Sequence, residues 1–207
     1  EISGSAIAFG SVEGEYDALL QAWYAGQGGA KALAEILFGD YNPGGKLPVT
    51  FYRSNSDLPD FLDYSMKNRT YRYFTGVPQY AFGYGLSYTT FVVGQGKLSK
   101  KAMKKNGQVT LTVPITNTGK REGTETIQVY VKALDDAGAP IKALKGFQKL
   151  SLKAGETKTA TISLDSEAFE YYDESIDELS TRAGRYQILY GTSSLDKDLQ
   201  SIDFVVK

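Results

Sequence analysis

Two residue types are missing from this 207-residue chain, cysteine and histidine. Without cysteine the chain can form neither disulfides nor thiolate metal sites, and it has no cysteine nucleophile. Without histidine it lacks the commonest general base and metal ligand, and every Ser-His-Asp arrangement is excluded. Any chemistry must therefore come from carboxylates, tyrosine, lysine or arginine.

Net charge and long apolar runs are also scarce. The chain has 23 Lys and Arg side chains against 24 Asp and Glu, a formal net charge of −1, so we expect neither nucleic acid nor a membrane as a partner. No apolar run is long enough to cross a bilayer, and the first residues show no signal-peptide pattern. Hydrophobic content of 42% with 23% charged residues is typical of a globular chain with one or two domains.

Aromatic side chains are concentrated in residues 71–91, which hold eight aromatic rings and three glycines. The apolar positions in this stretch repeat neither at the helical period nor at the strand period. Such a run would be insoluble if it were exposed. We therefore predict an ordered, non-repetitive segment packed between two bodies, and we call residues 71–91 the aromatic seam.

The residues before the seam alternate between strand and helix patterns. Residues 2–10 predict a buried strand of a parallel sheet, and residues 15–24 fit either a short helix or a strand. Residues 30–38 predict a helix that stops at Gly39. Residues 47–51 predict an edge strand, because a proline interrupts them.

This N-terminal segment is too short to close a core of its own. It is typical of the tail end of a larger α/β domain. The predicted helix has an apolar face with no partner in the segment. We therefore expect an apolar patch that is either exposed or covered by another chain or by a missing half. The face consists of Ala30, Leu33, Ala34, Leu37 and Phe38.

After residue 92 apolar and polar residues alternate with period two, which predicts about seven short strands. The alternating runs lie at residues 109–115, 127–131, 150–152, 160–164, 186–190 and 202–206. Such strands separated by glycine-containing turns are typical of an antiparallel fibronectin type III-like (immunoglobulin-like) sandwich. The predicted fold class is α+β: a C-terminal remnant of an α/β sandwich domain (1–52), an aromatic and glycine-rich connecting segment (53–91) that ends in the aromatic seam, and an all-β sandwich (92–207).

Several motifs together resemble the C-terminal part of the family 3 glycoside hydrolases, the β-glucosidase and β-xylosidase family. They span essentially the whole chain and follow one another in the family's order. The motifs are Ala-Trp-Tyr-Ala-Gly-Gln at 22–27, Leu-Phe-Gly-Asp-Tyr-Asn-Pro-Gly-Gly-Lys-Leu-Pro-Val-Thr-Phe at 37–51, Asn-Arg-Thr-Tyr-Arg-Tyr-Phe at 68–74, Phe-Gly-Tyr-Gly-Leu-Ser-Tyr-Thr-Thr-Phe at 82–91 and Leu-Lys-Gly-Phe-Gln-Lys-Leu at 144–150.

The resemblance implies that the catalytic groups lie elsewhere. Family members carry an aspartate nucleophile in an N-terminal barrel and an acid/base glutamate upstream of the segment that corresponds to residues 2–10. Neither motif has a counterpart here, so we expect no catalytic, cofactor-binding or metal-binding residue in this chain. The implied partner is the missing N-terminal half, in cis or in trans, with a β-linked oligosaccharide bound only by the complete enzyme. An extracytoplasmic location is implied as well, and a stand-alone protein- or glycan-binding module remains the alternative.

Carboxylates are concentrated in two places, each with a functional and a structural interpretation. The first, around residues 170–178, could hold Ca²⁺ or supply a catalytic pair, but it lacks calcium-loop spacing, and we interpret it as a solvated loop between strands. The second precedes the seam and could line a sugar pocket; we interpret it as capping of turns. The two sets are Glu170, Asp173, Glu174, Asp177 and Glu178, and Asp57, Asp60 and Asp63.

Aromatic and basic residues near the seam also allow two interpretations. Trp23 and the tyrosines could stack on sugar rings, but we favour packing at the domain contact. Arg69 and Arg72 could reach a substrate pocket, but we expect them to bind carboxylates or backbone carbonyls. The glycines at 26–29 lack the full pattern of a phosphate-binding loop, and Asn68-Arg-Thr70 is an N-glycosylation sequon.

Overall fold

The computed structural model describes residues 1–12, 14–173 and 176–207. Within these ranges it has two α-helices, α1 (Gly29–Leu37) and α2 (Thr70–Tyr73), and none of its helices is long and apolar enough to cross a membrane. The described strands are β1 (Phe91–Val93), β2 (Lys97–Leu98), β3 (Ala102–Met103), β4 (Val109–Asn117), β5 (Gly123–Ala133), β6 (Ala143–Leu152), β7 (Thr157–Leu164), β8 (Glu170–Asp173), β9 (Glu178–Thr181), β10 (Gly184–Gly191) and β11 (Leu199–Val206).

Two sheets form the predicted sandwich. In the first, β4 pairs with β7 along one edge and with β1 and β2 along the other. The second has the order β3-β11-β10-β5-β6 and is antiparallel except for β3 beside β11. The period-two pattern after residue 92 therefore predicted the architecture correctly.

Alternation along each strand builds the core between the sheets. In β4 the side chains of Val109, Leu111, Val113 and Ile115 are buried while their neighbours are only half-buried. They pack with the inward side chains of the second sheet, such as Ile188. Complete burial of one such side chain contributes roughly 1.5–3 kcal/mol, so this core stabilises the sandwich.

Strand β5 departs from simple alternation, because its centre is buried on both faces. Ile127, Val129 and Val131 point into the sandwich core. Gln128 and Tyr130 lie on the opposite face and are also buried. Something must cover that face, and the aromatic seam does so, as described below.

The predicted strand at residues 2–10 is wrong. Glu1, just before it, is held by two bonds: its amine donates to the Leu20 carbonyl (2.8 Å), and the Ala22 N–H donates to its carbonyl (2.9 Å). Residues 2–9 have no regular structure, and a 3₁₀ turn (Gly10–Val12) follows. A strand needs backbone partners along its length. Among the described residues, the backbone bond found for this segment is a turn contact, from the Val12 N–H to the Phe9 carbonyl (3.2 Å). Residues 15–24 form neither helix nor strand where they are described.

Helix α1 begins and ends one residue earlier than predicted. Gly39 takes the left-handed conformation (φ +80°), which favours glycine and ends the helix as expected. Leu37 and Phe38 are 68% and 85% exposed. Ala30 and Ala34 are exposed as well, and Leu33 is half-buried. Most of the apolar face of this helix is therefore open in the described part of the chain, as expected from the sequence.

Residues 47–51 run antiparallel to residues 79–84, but only one bridge, Phe51 with Tyr80, forms. The Leu47 N–H donates to the Tyr84 carbonyl (2.9 Å), and the Phe51 N–H donates to the Tyr80 carbonyl (2.9 Å). Pro48 has no N–H to continue the ladder. The predicted edge strand is therefore interrupted.

Candidate functional site

The aromatic seam contacts the N-terminal segment through a cluster centred on Phe51. Phe51 is buried, and its ring centroid lies 6.2–6.4 Å from those of Phe9, Trp23 and Tyr80. The Tyr80 hydroxyl is also hydrogen-bonded to that of Tyr16 (2.8 Å). These spacings are typical of packed aromatic pairs, so Trp23 and Tyr80 serve packing here.

The other side of the seam packs on strand β5. Tyr71 stacks on Phe82 with centroids 4.2 Å apart and meets the edge of Tyr130 at 5.8 Å. Its hydroxyl accepts the Leu144 N–H (2.9 Å). Burial raises the pKa of both Tyr71 and Tyr130, so both phenols stay neutral at physiological pH and neither is poised as a base.

A buried amide fixes the seam on β5. Gln128 Nε2 donates to the carbonyls of Gly83 (3.0 Å) and Thr192 (2.7 Å), and its Oε1 accepts the Tyr130 hydroxyl. Gly83 has φ +79°, and a Cβ at this position would lie 1.9 Å from Gln128 Oε1. Only glycine fits both requirements.

A buried ion pair joins the segment before the seam to the same strand. Lys46 Nζ lies 2.7 Å from Glu125 Oε1, and the two side chains are only 14% and 10% exposed. Lys46 also donates to the Gly85 carbonyl (3.2 Å). Because a buried charge is costly without its partner, this pair fixes the position of residues 44–46 relative to the sandwich.

The carboxylates before the seam act as caps. Asp57 accepts the Ser54 N–H (3.1 Å) in a capping box, and Asp60 accepts the Leu62 N–H (2.8 Å). The Ser65 N–H donates to Asp63 (2.9 Å) and holds the pKa of that carboxyl below its usual range. The capping interpretation is therefore confirmed.

The two arginines near the seam lie in different surroundings. Arg69 donates to the carbonyls of Asp60 (2.7 Å) and Asp63 (3.1 Å), as expected. The Arg72 guanidinium lies over the Tyr73 ring, 5.5 Å from its centroid. Arg72 also borders a cavity of about 30 Å³ beside Lys145. This space is large enough for a water molecule and too small for a sugar ring.

The sequon asparagine is occupied by local hydrogen bonds. Asn68 Nδ2 donates to the Asp57 carbonyl (3.3 Å), and its Oδ1 accepts the Thr75 N–H (3.2 Å). Asn68 also has φ +57°, a conformation that asparagine tolerates better than most residues. A glycan on this nitrogen would leave a single N–H for the first of these bonds.

Much of the acidic cluster around residues 170–178 lies on two paired antiparallel strands, which corrects the predicted loop. Glu170 and Asp173 lie in β8, and Glu178 lies in β9. Asp173 pairs with Arg182 (2.9 Å), which binds Asp136 at the same distance. Sequence reasoning missed Arg182, because its pairing with position 136 depends on the fold. Glu174 lies outside the described residues. Asp177 accepts the hydroxyl of Tyr172.

These contacts decide what the site can do chemically. A retaining glycosidase needs two carboxyls about 5 Å apart across the bond to be cleaved. Among the described carboxylates of the two clusters, Asp57, Asp60 and Asp63 cap turns, and Asp173 forms an ion pair. Among the described residues no group of three or more acidic side chains is arranged to hold a metal ion. The ring contacts of Tyr80 with Phe51 and of Tyr71 with Tyr130 make the seam a packing surface between the N-terminal segment and the sandwich.

Comparison with known sequences decides the family. The sequence model of the glycosyl hydrolase family 3 C-terminal domain matches residues 2–88, and that of the fibronectin type III-like domain matches residues 125–194. The chain belongs to the C-terminal region of the family 3 glycosyl hydrolases. The resemblance found in the sequence motifs is therefore confirmed.

Relatives of this family 3 region are much longer proteins. A xylan 1,4-beta-xylosidase from Xylanibacter ruminicola is 52% identical over 97% of the chain, which spans 23% of that relative. A periplasmic beta-glucosidase from Salmonella typhimurium is 39% identical over 93% of the chain, which spans 27% of it. The chain thus spans about a quarter of the length of the curated relatives it matches.

Solved structures support the same assignment. A β-glucosidase from Erythrobacter marinus matches 100% of the chain with a TM-score of 0.86 and 34% identity, and the match covers 27% of that protein. The beta-glucosidase from Kluyveromyces marxianus in complex with glucose matches 100% of the chain with a TM-score of 0.86 and 33% identity, over 26% of its length. The family 3 region thus has the same fold within larger enzymes.

Sequence reasoning missed Lys46, Glu125 and Gln128, the polar residues that fix the seam to the sandwich. One signal was available, since Glu125 and Gln128 interrupt a strand rich in Val, Ile and Tyr. A polar residue in such a strand lies either in solvent or on a covered face with a partner. The pattern alone does not distinguish the two.

Proposed function

We propose that this chain is the C-terminal portion of a retaining exo-β-glycosidase that removes xylose or glucose from β-linked oligosaccharides. The observation that carries the proposal is the open apolar face of α1. It occurs in a chain that spans about a quarter of the length of its relatives. Leu37 and Phe38 are largely exposed, and an exposed apolar face on an ordered helix marks a contact surface. The upstream part of the polypeptide is the partner that we infer for it.

In this proposal the chain has a structural role and shapes the outer wall of the pocket. Both catalytic carboxylates come from the upstream part, which also supplies the barrel. The seam and the buried Lys46–Glu125 pair hold the end of the α/β domain against the sandwich. The chain alone is therefore inactive.

The preferred substrate in this proposal is a β-xyloside. The chain is 52% identical to the relative named as a xylosidase and 39% identical to the one named as a periplasmic glucosidase. We further propose an extracytoplasmic location, which the name of the second relative supports. A stand-alone glycan- or protein-binding module, the alternative from the sequence, gives no reason for the sandwich to carry the remnant of an α/β domain.

The test is hydrolysis of nitrophenyl β-xyloside and nitrophenyl β-glucoside by the chain alone, by the upstream half alone and by the two mixed. We expect turnover only from the mixture, and more of it on the xyloside. Replacing Leu37 and Phe38 with serine should weaken the complementation, because it removes the apolar contact. Phe147→Ser, which changes a 66% exposed ring on the sandwich, is the matched control.

Turnover by the isolated chain would overturn this proposal. So would equal complementation by the Leu37/Phe38 variant and by wild type.

A further inference from the structure

A cluster of lysines lies at one end of the sandwich, away from the seam. Lys100, Lys104, Lys105 and Lys207 border a shallow depression of about 690 Å³, and no carboxylate side chain lines it. We call these four residues the lysine patch. Lys97 and Lys101 belong to the same short stretch of sequence and are also exposed.

The near-zero net charge of the chain conceals this patch. Without these six lysines, 17 basic side chains stand against 24 acidic ones in the rest of the chain. No ion pair involving the patch lysines occurs among the described residues, whereas Lys46, Lys142 and Lys158 each pair with a carboxylate. The patch is thus a local positive field on a chain that is acidic elsewhere.

The backbone around the patch is fixed. The Lys207 N–H donates to the Met103 carbonyl (2.8 Å), and the Val205 N–H donates to the Lys101 carbonyl (3.2 Å). The Gly107 N–H closes a turn on the Lys104 carbonyl (2.8 Å). Pairing of β3 with β11 therefore holds the charges of the two chain segments together, although like charges repel.

The composition of the patch indicates the class of its partner. It contains no aromatic ring for base stacking and no arginine for bidentate phosphate contacts, both of which single-stranded nucleic acid binders use. Of the apolar residues beside it, Leu98 is half-buried, Met103 is buried and Val205 is 38% exposed. One partly exposed valine offers too little apolar surface to insert into a lipid surface. Lysine is also depleted at protein–protein interfaces. What remains is a hydrated, flexible polyanion.

We propose that the lysine patch binds acidic polysaccharide through its uronate carboxylates, and so holds the polymer from which the enzyme's oligosaccharides derive. The choice of polysaccharide among hydrated polyanions rests on the proposed function. The lysine ammonium groups act as point charges towards carboxylates spaced along the polymer. The interaction is long-range and weakly oriented, so salt should screen it strongly.

The test is binding of the 207-residue chain to glucuronoxylan, measured by affinity electrophoresis and by calorimetry. The comparison polymer is the same xylan with its carboxylates reduced to alcohols. We expect at least roughly tenfold weaker binding to the reduced polymer. We also expect about a tenfold loss of affinity for glucuronoxylan between about 50 and about 200 mM salt.

Matched variants locate the binding. The triple substitution Lys100→Gln, Lys104→Gln and Lys105→Gln should reduce affinity about tenfold, whereas Lys67→Gln, Lys149→Gln and Lys197→Gln make the same charge change at exposed positions elsewhere and should leave it unchanged. Equal binding of the two polymers, or equal affinity of the two variants, would overturn the proposal. Tighter patch-dependent binding to phosphatidylglycerol vesicles or to single-stranded DNA would also overturn it and would identify the other class of polyanion.

Failure of this binding test can be distinguished from failure of the proposed function. Binding is measured without turnover, and small neutral nitrophenyl glycosides carry no charge for the patch to attract. If complementation fails but the patch still binds glucuronoxylan, only the enzyme assignment is lost. If complementation succeeds and the patch does not bind, only the patch proposal is lost.

Discussion

Replacing Gly83 with alanine tests whether the seam is held on β5 by the Gln128 amide. An alanine with φ near +79° is strained by about 1 kcal/mol. The new Cβ would also meet Gln128 Oε1 at 1.9 Å, so the amide has to move away from the carbonyls of Gly83 and Thr192. Each lost bond to a buried carbonyl costs roughly 1–1.5 kcal/mol. The free energy of unfolding should therefore fall by about 3–4 kcal/mol.

The matched control is Gly155→Ala. Gly155 has φ +73°, and a Cβ there would have no neighbour within 4 Å. This substitution adds the backbone strain without the collision, so we expect a loss of about 1 kcal/mol. The difference between the two variants isolates the contribution of Gln128.

Urea unfolding measures both effects in the same experiment. Trp23 is the single tryptophan and packs against Phe51, so its fluorescence reports on the N-terminal segment. Far-ultraviolet circular dichroism reports on the sandwich strands. We expect Gly83→Ala to lower the fluorescence midpoint more than Gly155→Ala does. Equal shifts for the two variants would refute the role given to Gln128.

Two further predictions concern ion pairs. Lys46→Ala leaves the buried Glu125 carboxylate unpaired and should lower the free energy of unfolding in urea by about 3–5 kcal/mol. The control Lys31→Ala, which removes an exposed helical pair, should lower it by no more than about 0.5 kcal/mol. Similar losses for the two variants would contradict the buried pairing. Bonds from Arg185 hold the pKa of Asp135 below its usual range. The stabilisation is therefore present above the unfolded pKa and is lost as pH falls through the folded pKa, so wild type should exceed Arg185→Gln in stability at neutral pH and match it in strong acid. A constant difference down to that acid limit would contradict this linkage.

The sandwich was predictable because the burial pattern of each strand appears in its own stretch of sequence. In β4 every second side chain enters the core, so the period appears in the sequence itself. Helix α1 was predictable for the same reason, with Gly39 marking its end. The strand predicted at residues 2–10 failed, because an apolar run becomes a strand only when neighbouring backbone satisfies it, and the sequence does not reveal whether those neighbours are present.

The candidate site was predictable in outline and not in detail. The density of rings in residues 71–91 predicted a seam, and the structure places Tyr80 and Tyr71 on its two sides. The contacts that fix the seam join residues 45 to 79 positions apart, as Gly83 with Gln128 and Lys46 with Glu125. Such pairs produce no periodic pattern in the sequence, so they can be recognised only once the fold is known.

The doubly buried centre of β5 has a consequence for modularity. The change of sequence pattern at residue 92 marks a boundary between the seam and the sandwich. A sandwich truncated at this boundary would expose Tyr130 and Gln128 to solvent. The sandwich and the seam are therefore one energetic unit. Any graft, truncation or evolutionary shuffling of this region has to carry the seam with it, or replace the outward face of β5 with side chains that tolerate solvent.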